Sequence, residues 1–244
     1  MRIASRFCGP PDSANGGYCA GLLAKALGGT VEVTLRSPPP LERTLSVALE
    51  SNYAQLRFDE LLVAEARHSE LDLQAPTAPT LARAEGMSRH YVGHVRHHFP
   101  GCFVCGPGRS AGDGLRIFPG AERKGGELVA GPFRPSASLV DASGVIGSEF
   151  VWAVLDCVGY FACASPEYPI ALLGRMTAEV LRPFEVDERC VVVGWSLGRE
   201  GRKLQAGTAV YSAEGQLIGR ARQTWIAMQR PGSSSIPPSA LSSR

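Results

Sequence analysis

Two stretches of the chain have the apolar character of buried helices. Residues 16–29 are small and apolar and end in two glycines, a common way for a helix to stop. Residues 145–163 are mostly apolar and have about the length of one buried helix. The pattern therefore predicts one main helix in each half of the chain.

Alternation of apolar and polar residues predicts strands around both helices. The predicted strands are residues 2–7, 30–36, 45–49, 54–58 and 61–67 in the first half, and 114–118, 127–133, 171–181, 189–197, 204–211 and 217–228 in the second. Between the halves, residues 69–96 are rich in proline, charge and histidine, which indicates a connection with one short helix.

Composition excludes several classes of protein. A net charge of +2 gives no attraction to nucleic acid, and Asp156 interrupts the longest apolar run, so we expect no nucleic-acid or membrane partner. The seven cysteines are odd in number and follow no secretory signal, which favours free thiols in the cytoplasm.

The two halves repeat an order of elements. Each has a helix followed by long strands, and one strand in each half ends in a similar phrase, VTLRSP at residues 33–38 and EVLRP at residues 179–183. Similar endings, LVAEAR at residues 62–67 and LIGRAR at residues 217–222, follow later in each half. The repeat predicts a duplicated α+β unit in which an antiparallel sheet wraps a helix.

Short motifs add a specific resemblance. CFVCG at residues 102–106 and GLRI at residues 114–117 resemble the opening of the phenylacetyl-CoA-type thioesterases, and ANGG at residues 14–17 resembles that family's helix-start motif. The resemblance implies an α+β double hot-dog fold, with two long central helices each wrapped by an antiparallel sheet and the two sheets joined into one. The units are then residues 1–75 and 99–230, with a connection at 76–98 and a disordered tail at 231–244.

The resemblance also implies a site shared between the halves. In the family an acid lies nine residues after the Asn of the helix-start motif. The first helix has Ala24 at that place, whereas the second has Asp156 but carries Gly147 where Asn15 would be. Asp156 is then a general base or a nucleophile, facing Asn15 and the backbone N–H groups of Gly16 and Gly17 as oxyanion donors.

Simpler interpretations of the same residues remain open. Asn15 is also a good helix N-cap, and Asp156 is also explained as an acid that is satisfied inside the fold.

Four further residues are candidates for substrate binding. Glu149 and Trp152 lie on nearly the same helix face as Asp156, and Arg36 and Arg182 end matching strands, where they can meet CoA phosphates. Glu149 is equally explained as an acid of the first helical turn, and the arginines as solvated strand ends. All histidines except His68 lie in the connection, so a Ser–His–Asp triad is not expected.

We expect no metal. Cys102 and Cys105 form a CxxC motif close to His90, His94, His97 and His98, but a structural zinc site usually shows a second, tightly spaced ligand pair. We also expect no cofactor, with a CoA thioester entering only as substrate.

Two functions follow from these interpretations. The first is a thioester hydrolase acting on an acyl-CoA or an acyl carrier protein, with chains that can assemble into homo-oligomers. The second is a non-catalytic protein that binds an acyl group or acyl-CoA on the same scaffold. A hot-dog dehydratase is less supported, because no His and Asp pair lies on a suitable helix.

Overall fold

The structure is a computed structural model, and it describes residues 1–122, 126, 128–164 and 170–228. The tail predicted at 231–244 lies outside the described residues. Two long helices and one short helix accompany a single sheet. The helices are α1 (Gly16–Leu27), α2 (Leu81–Ser88) and α3 (Ser148–Cys163), and the strands are β1 (Val31–Leu35), β2 (Ser46–Leu49), β3 (Tyr53–Phe58), β4 (Leu61–His68), β5 (Leu128–Phe133), β6 (Ala171–Val180), β7 (Cys190–Glu200), β8 (Lys203–Ser212) and β9 (Leu217–Ala227).

The sheet has nine strands in the order β2-β3-β4-β1-β6-β9-β8-β7-β5, and every pair is antiparallel. Strand β1 pairs with β6, with Val33 opposite Met176, so the two halves share one ladder. On each side of this junction a helix is followed by four strands in the same order. The predictions of an α+β chain and of one joined antiparallel sheet are confirmed.

Helices α1 and α3 pack against each other and against the sheet in one apolar core. The contact is close because α1 contributes glycines: a Cβ atom at Gly21 would lie 2.7 Å from the Glu149 Cα. The small residues of α1 therefore let the two helices approach closely. Helix α3 begins three residues later than predicted, because Val145 still belongs to the preceding turn. Its carbonyl accepts from the Asp141 N–H at 2.9 Å, and its N–H donates to Asp141 Oδ1 at 3.2 Å.

The connection between the halves contains the expected short helix. Thr80 caps α2 by accepting a hydrogen bond from the Arg83 N–H. Ala84 and Met87 of α2 belong to a second, smaller apolar cluster with residues of β5, β7 and β8. No helix among the described residues combines the length and apolarity needed to cross a membrane.

Two predicted strands are wrong. Residues 2–7 run beside residues 42–45 and then turn into a 3₁₀ helix at Ser5–Phe7, so they form one isolated bridge instead of a ladder. Residues 114–118 are broken by Arg116, whose φ of 54° is incompatible with a strand. Their backbone instead pairs with the Cys102–Cys105 turn, where the Leu115 N–H donates to the Phe103 carbonyl at 2.7 Å.

Candidate functional site

The start of α1 is fixed by the loop before it. The Asn15 N–H donates to the Phe7 carbonyl, and the Asn15 side-chain oxygen accepts from the Tyr18 N–H at 2.9 Å. Asn15 is therefore the N-cap of α1, as one interpretation of the sequence held. The cap uses only the Oδ1 atom, which leaves the Nδ2 group free to donate elsewhere.

That amide group donates to Asp156 of α3. Asn15 Nδ2 lies 2.6 Å from Asp156 Oδ2, and the Gly17 N–H donates to the same oxygen at 3.0 Å. Only glycine permits this approach, since a Cβ atom at Gly17 would lie 2.5 Å from the Asp156 Cβ. Two donors from the first half thus hold one carboxylate oxygen from the second half.

Asp156 is almost completely buried, with 2% of its surface exposed. Burial raises its pKa to about 7, and the nearby Cys102 adds to the rise, while hydrogen bonds from Gly17 and Asn15 oppose it. Within the described residues its second oxygen, Oδ1, has no hydrogen-bond partner. The carboxyl group is therefore anchored through Oδ2 and carries a free oxygen, the arrangement that a base or nucleophile requires.

A cavity of about 920 Å³ adjoins this carboxyl group, and Asn15, Gly16 and Asp156 lie in its wall. Its volume is within the range of about 300–1,000 Å³ that is usual for small-molecule sites. Most of the remaining wall is apolar, including Leu35, Leu173, Tyr160, Phe161, Trp225 and Ile226. The site therefore places one buried acid, Asp156, in the wall of a largely apolar pocket, whose other lining acid, Asp12, is exposed.

The two glycines of the helix start have different surroundings. The Gly17 N–H donates to Asp156, so it positions the acid. The expectation that this N–H would be a free oxyanion donor is therefore wrong. The Gly16 N–H has no acceptor among the hydrogen bonds of the described residues, and Gly16 lines the cavity. As the first residue of α1, Gly16 presents its N–H at the positive end of the helix dipole.

Only one of the four candidate binding residues lines this cavity. Arg36 lies in its wall, where the guanidinium also pairs with Glu65, with Nε at 2.9 Å from Oε1. Trp152 and Arg182 instead line a second cleft of about 500 Å³, and Arg182 is paired with Glu188 there. Glu149 forms an ion pair with Lys25, whose Nζ lies 3.1 Å from Oε2.

The separation of these candidates has a geometric reason. Helices α1 and α3 pack so that the start of each lies against the later turns of the other, as the contacts Asn15–Asp156 and Lys25–Glu149 show. Glu149 and Trp152 precede Asp156 by two turns and one turn, so they belong to the opposite end of the helix pair. The periodicity of one helix does not show how that helix packs against another, so it could not predict this separation of the candidate residues.

Sequence reasoning missed Gln223. This side chain is 1% exposed and donates to the Leu155 and Asp156 carbonyls at 2.6 and 3.2 Å, while its own Oε1 accepts from the Trp225 indole N–H at 2.8 Å. It holds the backbone that carries the acid. The available signal was a glutamine at an inward-facing position of β9, between the buried Ala221 and Trp225.

No protein-family model matches the chain, and no curated protein matches it significantly. Solved structures do resemble it. A conserved hot-dog-fold protein from Alicyclobacillus acidocaldarius superposes with a TM-score of 0.56 at 13% identity, covering 94% of this chain and 92% of that one. The tesB protein of Mycobacterium avium subs paratuberculosis gives 0.53 at 12% identity, covering 90% and 89%.

The acyl-CoA thioesterase II TesB2 of Mycobacterium marinum gives a TM-score of 0.52 at 11% identity, covering 84% of this chain and 81% of that one. Identities this low establish the fold and leave the chemistry to the site. The resemblance to hot-dog thioesterases that the motifs suggested is confirmed at the level of the fold.

Proposed function

We propose that this chain is a tandem of two hot-dog units that hydrolyses an acyl thioester at one site shared between them. The observation that carries the proposal is the arrangement around Asp156. Asn15 Nδ2 and the Gly17 N–H, both from the other half, hold Oδ2, and Oδ1 is buried without a partner among the described residues. The other buried carboxylate oxygen without a hydrogen bond, Glu149 Oε2, lies 3.1 Å from Lys25 Nζ, whereas no Lys or Arg of the described residues pairs with Asp156. A buried acid with neither a cation nor a second hydrogen-bonded oxygen costs free energy, which favours a functional role.

The reaction follows from the positions of these groups. A thioester carbonyl oxygen accepts a hydrogen bond from the Gly16 N–H, where the helix dipole stabilises the developing negative charge. Asp156 then acts in one of two ways: as a base it takes a proton from the water that adds to the carbonyl carbon, and as a nucleophile it adds to that carbon itself. In the first case the C–S bond then breaks, and the proton held by Asp156 passes to the departing thiolate. In the second case the thiolate leaves as the C–S bond breaks, and water then hydrolyses the acyl–Asp156 anhydride. That step releases the carboxylic acid, restores the Asp156 carboxylate and supplies the proton that the thiolate takes up.

The cavity indicates the substrate class. Its largely apolar wall suits an apolar acyl group. Arg36 lies in the same wall with a half-exposed side chain, in a position to meet a phosphate of the thiol carrier. CoA thioesters are therefore the first substrates to test, ahead of acyl carrier proteins.

The test is a hydrolysis screen of the full chain against a panel of acyl-CoAs, followed by Asp156→Asn with the best substrate. The substitution keeps the shape and removes the base, so kcat should fall at least about 100-fold with little change in binding. Glu149→Gln is the matched control, because it changes a buried carboxylate on the same helix that lies away from the cavity. Its kcat should change by less than about threefold.

Two outcomes contradict the proposal. If Asp156→Asn hydrolyses the best substrate as fast as the parent, Asp156 is not the catalytic group. If the parent binds acyl-CoAs but hydrolyses none of the panel, the chain is a binding protein on this scaffold.

A further inference from the structure

Three cysteines meet beside the site without taking part in the proposed reaction. The Sγ atoms of Cys102, Cys105 and Cys157 all lie within 4.8 Å of one another, and all three side chains are buried. The seven cysteines of the chain all fall in described residues, and all are free thiols. We call Cys102, Cys105 and Cys157 the three-cysteine cluster.

The spacing of the cluster suits a metal ion. Zinc–sulfur bonds of about 2.3 Å in a tetrahedron place neighbouring sulfur atoms about 3.8 Å apart. Cys102 Sγ and Cys157 Sγ are 3.7 Å apart. The distance between these two sulfur atoms, one on the CxxC turn and one on α3, therefore already matches the sulfur–sulfur distance at a zinc ion.

The CxxC turn is closely folded. The Cys102 N–H donates to the Phe99 carbonyl at 2.8 Å, and the Gly106 N–H donates to the Cys102 carbonyl at 2.9 Å. Only glycine fits at position 106, since a Cβ atom would lie 2.5 Å from that carbonyl oxygen. The backbone therefore fixes the positions of Cys102 and Cys105 before any ion binds.

The three sulfurs come from two parts of the fold. Cys102 and Cys105 belong to the turn, and Cys157 lies on α3. All three residues line the cavity beside Asp156, so the cluster borders a space that can supply a water ligand. A divalent cation would allow the three thiols to ionise, because metal–sulfur bonds replace the buried S–H groups.

His97 supports the cluster from outside. Its Nε2 lies 3.3 Å from Cys105 Sγ, and its Nδ1 accepts a hydrogen bond from the Phe99 N–H at 3.0 Å. Because Nδ1 is the acceptor, the proton of the neutral ring is on Nε2, which donates to the sulfur. His97 is therefore a hydrogen-bond donor to a ligand and not itself a ligand, a common role beside metal sites.

We infer that Cys102, Cys105 and Cys157 bind one Zn²⁺ ion through three thiolates, with His97 donating to Cys105 and a water molecule from the adjoining cavity as fourth ligand. Each thiol releases its proton on binding. The ion would fasten the CxxC turn to α3 at the residue next to Asp156, which gives it a positioning role. This inference replaces the expectation of no zinc, which depended on the missing second ligand pair: the fold supplies Cys157 instead.

The test is elemental analysis of the purified full chain after incubation with Zn²⁺ and removal of excess metal. About one zinc per chain is expected in the parent, with at least tenfold weaker binding in Cys102→Ser and in Cys157→Ser. Cys163→Ser is the matched control on the same helix, and it should retain the zinc of the parent. His97→Gln should weaken binding about 10- to 100-fold, as loss of a supporting hydrogen bond does at other metal sites.

A second measurement uses only the parent chain, so it does not depend on the folding of variants. The chelator-treated protein is titrated with Co²⁺, and one equivalent should produce the thiolate-to-cobalt charge-transfer absorption of a three-sulfur site, which Zn²⁺ should then abolish. Less than about 0.2 zinc per chain, zinc unaffected by both cysteine variants, or no such absorption would overturn the inference. None of these readouts depends on thioester hydrolysis, so the proposed function stands or fails separately.

Discussion

The cavity at the start of α1 and the cleft at the start of α3 are built from equivalent positions of the two halves, yet they hold different side chains. At the cavity, the Asn15 side chain and the Gly17 N–H donate hydrogen bonds to Asp156. In the second, Gly147 stands where Asn15 would be, and Ala24 where Asp156 would be. The two ends of the helix pair therefore differ in side chains, and only the first has the residues on which the proposed reaction depends.

The residue of the second half that is equivalent to Gly17 is Glu149. It bears a long charged side chain where the first half has none, and this side chain pairs with Lys25 at 3.1 Å. Each of these carboxylates keeps one buried oxygen without a hydrogen bond among the described residues, Glu149 Oε2 and Asp156 Oδ1. The difference is charge: Glu149 Oε2 lies 3.1 Å from the Lys25 ammonium, whereas no Lys or Arg of the described residues pairs with Asp156. The comparison therefore favours the acid without a cationic partner, and not a buried acid as such, as the candidate functional group.

The largest effect on stability is expected from Gly17→Ala, which would break the close approach of α3 to the start of α1. Its Cβ would lie 2.5 Å from the Asp156 Cβ and 2.7 Å from the Trp152 carbonyl oxygen, so the helices must move apart. The expected loss is about 2–3 kcal/mol of unfolding free energy. Urea unfolding measures it.

Gly86→Ala is the matched control, because Gly86 lies in α2 with nothing within 4 Å of the added Cβ. That change should leave stability unchanged or raise it by up to about 1 kcal/mol. Equal effects of the two substitutions would show that the approach of α3 to Gly17 is not close.

A second, smaller effect is expected in the pH dependence of the unfolding free energy. Burial raises the Asp156 pKa to about 7, so between about pH 4 and 7 the folded chain keeps a proton that the unfolded chain releases. The stability contributed by this carboxyl group is therefore present at low pH and is lost as pH rises through that window.

Asp156→Asn removes this dependence. Relative to the parent, its unfolding free energy should rise by about 2 kcal/mol between pH 5 and pH 7, measured by urea unfolding at both values. All other titrating groups are shared and cancel in the difference. A difference that is constant with pH would mean that the carboxyl group titrates in the folded chain as it does in water.

The sequence predicted more of the backbone than of the site. The pattern of apolar residues was sufficient for both long helices, whereas the joined sheet was predicted from the resemblance to a thioesterase family. The prediction of a strand at residues 114–118 was wrong, because an alternating pattern shows neither the positive φ of Arg116 nor the pairing with the Cys102–Cys105 turn.

Within the site, a motif spacing brought Asn15 and Asp156 together in the prediction. It could not show that the Gly17 N–H would donate its hydrogen bond to Asp156, or that Trp152 and Arg182 would line the other cleft. These outcomes depend on how one helix is placed against the other. Gln223 was missed for the same reason, since its partners lie on α3.

The smallest expected effect is a negative one. Ala24→Asp restores an acid to the second cleft, but Gly147 has no amide group to hold it and the Lys25–Glu149 pair is already present there. The substitution should change kcat by less than about twofold, and it should not restore hydrolysis to Asp156→Asn. Recovery of turnover in the double variant would show that the second cleft is a working site.

The central claim is that Asn15 acts through Asp156 across the two halves, and a double-mutant cycle on kcat tests it most directly. Asn15→Ser keeps an N-cap acceptor but loses the amide donor to Asp156 Oδ2, together with the longer contact of that donor with Cys157 Sγ at 3.7 Å. Alone, it should lower kcat with the best acyl-CoA by about tenfold. Combined with Asp156→Asn, it should lower kcat no further than Asp156→Asn does alone, since residues that act as one unit are not additive. Fully additive losses would contradict the account, because the two residues would then act independently.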